Sequence, residues 1–152
     1  MTAVADNLER IVRNYSGRLE AVPEEIYLFK PDPAKWSKKE ILGHLVDSAQ
    51  NNIRRAIVMQ YEDQPTILYR QDDWVIISGY QDYPTGDLVQ LWRLLNMHMI
   101  RVLRQAPAAA SGRSVFMGGP EPRTLEWMAA DYCNHLLHHL HQVLDLDPIA
   151  YG

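Results

Sequence analysis

The stretch HLLHHLHQV, residues 135–143, holds four of the chain's six histidines. Imidazole is the commonest metal-ligating side chain, so the chemistry such a cluster can support is coordination of a divalent ion. Spacing decides which rings can share one. At 100° per residue on a helix, His139 lies about 40° from His135, whereas His138 and His141 fall about 60° and 120° to the other side. Only His135 and His139 have the i,i+4 arrangement on an inward edge that lets two imidazoles converge on one ion. The apolar stripe of Leu125, Ala129, Leu136, Leu140 and Val143 puts that pair at the border of the buried face and leaves His138 and His141 to solvent.

Two imidazoles rarely hold an ion alone, and His44 is the candidate for a third. Its own stripe, Leu42, Val46, Ala49, Ile53 and Ala56, again leaves the histidine at the core's edge, with Ser48, Asn52 and Arg55 beside it. Asp47, about 60° round the wheel from His44, is expected to face solvent. If the two helices pack side by side, one ligand from the earlier meets two from the later. His98 flanks another stripe and reads as structural or surface. The competing reading of every one of these rings is a hydrogen-bonded or solvated histidine, and an HxxxH pair also arises by chance.

A ligating imidazole usually donates its other N–H to an oxygen. Asp131, one turn before His135, and Gln142, just beyond His139, are the candidates for that role. Ser48, Asn51 and Asn52 can hold water or substrate. In the segment EDQPTILYRQDDWVIISGYQDYP, Asp72, Asp73 and Trp74 can form a pocket rim, with Trp74 also suited to anchoring the segment by packing. No catalytic group beyond these is assigned.

Four helices must position them. Val4, Leu8, Ile11, Tyr15 and Leu19 recur at helical steps and predict a first helix over about residues 2–20. Three prolines interrupt the next stretch. Then Ser37 and Glu40 form a capping box that opens a second helix over about 38–61. Leu88, Leu91, Trp92, Leu95, Met99, Val102 and Leu103 predict a third over about 85–105, stopped by Pro107. The fourth starts near Thr124 and ends before Pro148. The expected fold is an all-α four-helix bundle in one domain, 1–152, with connections at about 62–84 and 106–123 longer than bundle packing needs.

Composition narrows the class. With 47% hydrophobic and 22% charged residues, 152 residues suffice for one well-buried core. Fifteen basic against nineteen acidic residues give a net charge of −4, with no basic run to serve a nucleic acid or an anionic membrane. The single cysteine, Cys133, rules out an internal disulfide framework and indicates a reducing compartment. Asp6, Glu9 and Arg10 stand where a signal peptide would need an apolar run, and no uncharged stretch is long enough to span a bilayer. A cytoplasmic location is expected.

KWSKKEILGHLVDSAQNNIRR, the central QDDW, and TLEWMAADYCNHLLHHLHQV, in this order and spacing, resemble the DinB-like/YfiT superfamily of bacterial metal-binding four-helix bundles over nearly the whole chain. The resemblance implies one histidine ligand from the second helix and two, four residues apart, from the last. They fall on His44, His135 and His139, the residues the helical wheel selects. It also implies a homodimer, to which the aromatic and apolar 62–84 segment adds weakly.

Three neutral imidazoles leave coordination positions open, as catalytic sites do. The ion can lower the pKa of bound water and supply hydroxide, giving a hydrolase, or activate a thiolate, giving a transferase. The resemblance favours a thiol-dependent S-transferase acting on a small-molecule substrate with a low-molecular-weight thiol. A metal-dependent hydrolase is the alternative, and a non-catalytic metal-binding or interaction module a third. Zinc or nickel is the expected ion, although three histidines also suit copper and iron. Because protons compete for each ring, affinity for the ion is expected to fall as pH drops through about 6.5.

Overall fold

Four amphipathic helices dominate the computed structural model, which describes residues 1–151: α1 (Thr2–Glu20), α3 (Lys38–Val58), α5 (Thr85–Gln105) and α6 (Leu125–Val143). They correspond to the four predicted helices, with α3 ending at Val58 rather than near 61. Most of the predicted stripe residues lie in the core, while Val4, Tyr15, Leu91, Leu95 and Val102 are half-buried at its edge. The Ser37–Glu40 capping box is formed in both directions, and Thr124 caps α6 by accepting from the Trp127 N–H.

The helices form a ring in which α1 and α3 each lie between α5 and α6. Consecutive helices α1 and α3 are therefore diagonal to each other, as are α5 and α6. Diagonal crossings need longer connections than neighbouring antiparallel helices do, which accounts for the long stretch between α5 and α6. Trp92, Leu136, Leu45 and Leu8, one from each helix, are fully buried at the centre, each worth roughly 1.5–3 kcal/mol by burial of its apolar surface.

The connections contain more structure than expected. The α1–α3 link holds a short helix, α2 (Glu24–Leu28), and the 62–84 segment holds α4 (Gln71–Ser78) followed by a 3₁₀ turn, Tyr80–Asp82. Past α5, β1 (Ser114–Val115) pairs antiparallel with β2 (Arg123–Thr124) at the entrance to α6. No helix among the described residues is long and apolar enough to cross a membrane.

The added cover changes one face of α3. All eight residues from Leu42 to Ala49 are buried, because α2, α4 and the Tyr80 turn pack on the side that a four-helix wheel leaves to water. Tyr80 lies directly on Gly43: a Cβ there would come within 2.2 Å of its ring. The phenol then reaches down to donate to Asp47 Oδ1. Asp47 is thus 1% exposed rather than facing solvent as expected.

Candidate metal centre

His44, on the second turn of α3, meets His135 and His139 from the neighbouring α6. The three can offer ligand atoms that all lie within 4.8 Å of one another. His44 Nε2 and His135 Nε2 are 3.1 Å apart. Two nitrogens on a tetrahedral ion at about 2.0–2.1 Å would stand about 3.3 Å from each other, so the pair is already at nearly the required separation. The Trp36 ring packs against His44 at 5.0 Å between centroids, and His44 is 1% exposed.

Burial sets the protonation of the cluster. It pulls the pKa of His44 down to about 4, helped by the neighbouring His139. Burial likewise takes His135 down to about 3, with the other histidines adding repulsion. His139 is lowered too, again first by burial. A charged imidazole loses its hydration here and gains like-charged neighbours, so the neutral, lone-pair-bearing form prevails at neutral pH. That form is the one a metal needs.

The tautomer of His139 is fixed by a chain of hydrogen bonds. His138 Nδ1 donates to the Ile149 carbonyl at 2.6 Å. Its Nε2 must then accept, and does so from the Gln142 amide at 3.0 Å. The Gln142 Oε1 in turn accepts from His139 Nδ1 at 2.7 Å. With its proton on Nδ1, His139 turns the lone pair of Nε2 free for the cluster. Gln142 thus has the orienting geometry that its position suggested. Asp131 does not: its carboxylate accepts from the Tyr151 hydroxyl at 2.9 Å and bonds no imidazole.

The other two histidines of the run are tied to the tail rather than solvated. His138 is half-buried and bonded as described, and His141 donates to the Asp147 carbonyl at 2.7 Å while accepting from Tyr15 at 2.8 Å. His98 is exposed.

A cavity of about 1130 Å³ opens over His135 and His139. Ser48, Asn52, Asp73, Trp74 and Asp131 all line it. Ser48 stands 3.4 Å from His135 Nδ1 and Asn52 donates to the Ser48 carbonyl at 2.9 Å. Trp74 packs edge-on against Tyr69 at 5.5 Å, and Asp73 is paired with Arg70. Asn51 does not line the cavity; it donates to the Asp47 carbonyl at 2.9 Å within α3. Asp72 is exposed and outside it. Sequence reasoning gave no role to three residues that shape this space. They are Arg55, Tyr69 and Tyr151, whose ring packs 5.3 Å from that of His135. Arg55 was within reach of the wheel, three residues after Asn52; the tyrosines come from segments without helical periodicity.

The donor set fits a divalent ion. Three neutral imidazoles converge, one buried and two half-buried, one has its tautomer locked, and a cavity gives access to the remaining positions. His44 Nδ1 and Asp47 Oδ2, one turn apart on α3, are both buried without hydrogen-bond partners.

Comparison with known proteins follows the same lines. Residues 7–143 match the DinB superfamily. Among solved structures, the chain is similar to YfiT from Bacillus subtilis, described as a probable metal-dependent hydrolase with an unusual four-helix bundle topology, at TM-score 0.84 and 19% identity, covering 94% of this chain and 83% of that one. It is also similar to a mycothiol-dependent maleylpyruvate isomerase, at TM-score 0.70 and 11% identity, covering 97% of this chain and 61% of that one. At such identities these likenesses speak to the fold. No curated protein matches the chain.

Proposed function

The chain belongs to the DinB superfamily, and from that premise we propose that it is a metal-dependent enzyme acting on small molecules, a thiol-dependent S-transferase in which His44, His135 and His139 hold one divalent ion, zinc or nickel. The observation that carries this reading is the convergence of three neutral imidazoles, His44 buried and His135 and His139 half-buried, with the latter two lining a large cavity. When bound there, the ion supplies Lewis acidity, lowering the pKa of a thiol or a water and so making a nucleophile at neutral pH.

The residues of the chain do the rest. Gln142 keeps the proton of His139 on Nδ1. Ser48, against His135, and Asn52, behind Ser48, offer hydroxyl and amide groups to orient a reactant. Trp74 and Tyr69 supply an apolar wall that limits water. The choice of a transferase over a hydrolase rests on the likeness to a mycothiol-dependent protein, and the open cavity of about 1130 Å³ has room for a reactant beside the histidines. A hydrolase is the second reading, favoured by Asp131, a carboxylate in the same cavity able to accept a proton from water.

Metal analysis of protein purified without a polyhistidine tag, followed by a screen of low-molecular-weight thiols against electrophiles, tests this. Thiol consumption that requires the ion supports the transferase. Hydrolysis of an ester or amide without thiol supports the second reading, and a metal-loaded but inert protein overturns both. We read the assembly as a homodimer, since Ile76, Ile77 and Leu68 expose 74%, 83% and 58% of their surface near the cavity mouth. Light scattering giving the 17.5 kDa monomer mass at micromolar concentration would count against it.

A further inference from the structure

The cavity over the histidines has a second end. Along α3, His44, Ser48, Asn52 and Arg55 follow one another at four-, four- and three-residue steps, which puts them on one helical face. The last three line the cavity. Arg55 is only 4% exposed. Its Nε and Nη2 donate to the Ile67 carbonyl at 3.1 and 2.9 Å, and its Nη1 donates to Asn52 Oδ1 at 3.3 Å. A guanidinium carries five N–H groups, so these three bonds leave two, one on each terminal nitrogen.

Both acceptors are neutral. Among the described residues no carboxylate closes a salt bridge with Arg55. The other cation lining the cavity, Arg70, is paired with Asp73 at 2.6 Å, and Asp131 is engaged by Tyr151. The Tyr69 ring, 5.7 Å from the guanidinium carbon, shields it further. A buried charge without a counter-ion is strongly unfavourable. A pair of spare donors on Nη1 and Nη2 matches the two oxygens of one carboxylate.

We propose that Arg55 is the anion clamp of this pocket, so that the molecule whose reactive end meets the histidine cluster carries a carboxylate at its far end. The inference rests on reading the cluster as a metal site. Seven residues, about 10 Å of helix rise, separate Ser48 beside His135 from Arg55. The acid is therefore a recognition group remote from the reacting atom, and the clamp selects substrates by charge and length together.

The test uses zinc-loaded protein and a series of ω-mercaptocarboxylates of increasing chain length, each paired with its primary amide, titrated by calorimetry. The thiol probes the ion and the acid probes Arg55. At the best chain length the acid is expected to bind about ten- to hundredfold more tightly than the amide. This preference should vanish in Arg55→Gln and survive in part in Arg55→Lys, with zinc stoichiometry unchanged in both. Because Arg55 also holds Ile67, the acid-to-amide ratio in the wild type is the deciding number, and it needs no variant. Equal affinity there overturns the clamp and leaves the metal site standing. Failure to bind zinc strikes the metal reading instead; glutarate titrated against metal-free wild type and Arg55→Gln then tests the clamp by itself, and no binding, or equal binding to both, overturns it.

Discussion

Metal-free protein should lose stability on mild acidification, and the loss can be worked from the histidine cluster. In the unfolded chain an imidazole titrates near 6.5; in the fold, burial holds His44 at about 4 and His135 at about 3. Between these limits the unfolded state binds a proton that the folded state refuses, so stability falls as pH falls from 6.5 towards 4. At pH 5 each ring is about 1.5 units below its unfolded pKa, worth about 2 kcal/mol, or about 4 kcal/mol for the pair. His139 adds in the same direction. Asp47 opposes them. Burial raises its carboxyl to about 6, so the folded state takes up a proton first and regains roughly 1.5 kcal/mol by pH 5. The net loss from pH 8 to pH 5 is about 2.5 kcal/mol, or roughly 5–10 °C in melting temperature for a chain of this size. Urea denaturation of chelator-treated protein at the two pH values measures it. In the His44→Asn, His135→Asn double variant most of this loss should disappear, leaving only the contribution of His139 set against the gain from Asp47. A wild type equally stable at both pH values, or a double variant as acid-sensitive as the wild type, would refute the reasoning. The same shifts move proton competition for the ion: affinity should hold well below the pH 6.5 expected for unperturbed rings and fail only as His44 and His135 titrate.

His135→Ala or His139→Ala should abolish zinc binding, whereas His138→Ala should retain the ion with a smaller loss of affinity, as read by metal analysis; equal loss in all three would sink the ligand assignment. Gln142→Ala should weaken zinc by about 10–100-fold, and Gln142→Glu, which still accepts from His139 Nδ1, should restore most of it in a chelator competition. Gly43→Ala should cost about 1–3 kcal/mol in urea melts, since its methyl would stand 2.2 Å from the Tyr80 ring, and a neutral effect would mean that Tyr80 does not lie there.

The long helices were legible because each carries a stripe at helical period and a cap or proline at its ends; Ser37 with Glu40 located the start of α3 to the residue. The inward-edge placement of His44 and of the His135–His139 pair was legible for the same reason, since i,i+4 spacing and edge placement are properties of a single helix. What failed was any inference that needed to know what covers a helix. Asp47 seemed solvated because a wheel contains no Tyr80, and Asp131 seemed an imidazole partner because a wheel contains no Tyr151. Helix α4 stayed hidden because Gln71–Ser78 has almost no amphipathic pattern: Val75 alone is buried, while Ile76 and Ile77 point outward. Arg55 was visible as a position, but its significance lies in its lack of a carboxylate partner, which only tertiary structure reveals.

The chain of bonds from Ile149 through His138 and Gln142 to His139 has a direction, and that direction originates in a peptide oxygen. Each side chain in the chain can be turned end for end by flipping an amide or moving a proton. The carbonyl cannot, because it has no hydrogen to give. Substitutions at position 149 therefore leave this direction intact, because whatever residue stands there presents the same carbonyl. The polarity presented by His139 is in that sense inherited from the backbone, and sequence drift in the tail can proceed freely so long as the main chain keeps returning to the same place.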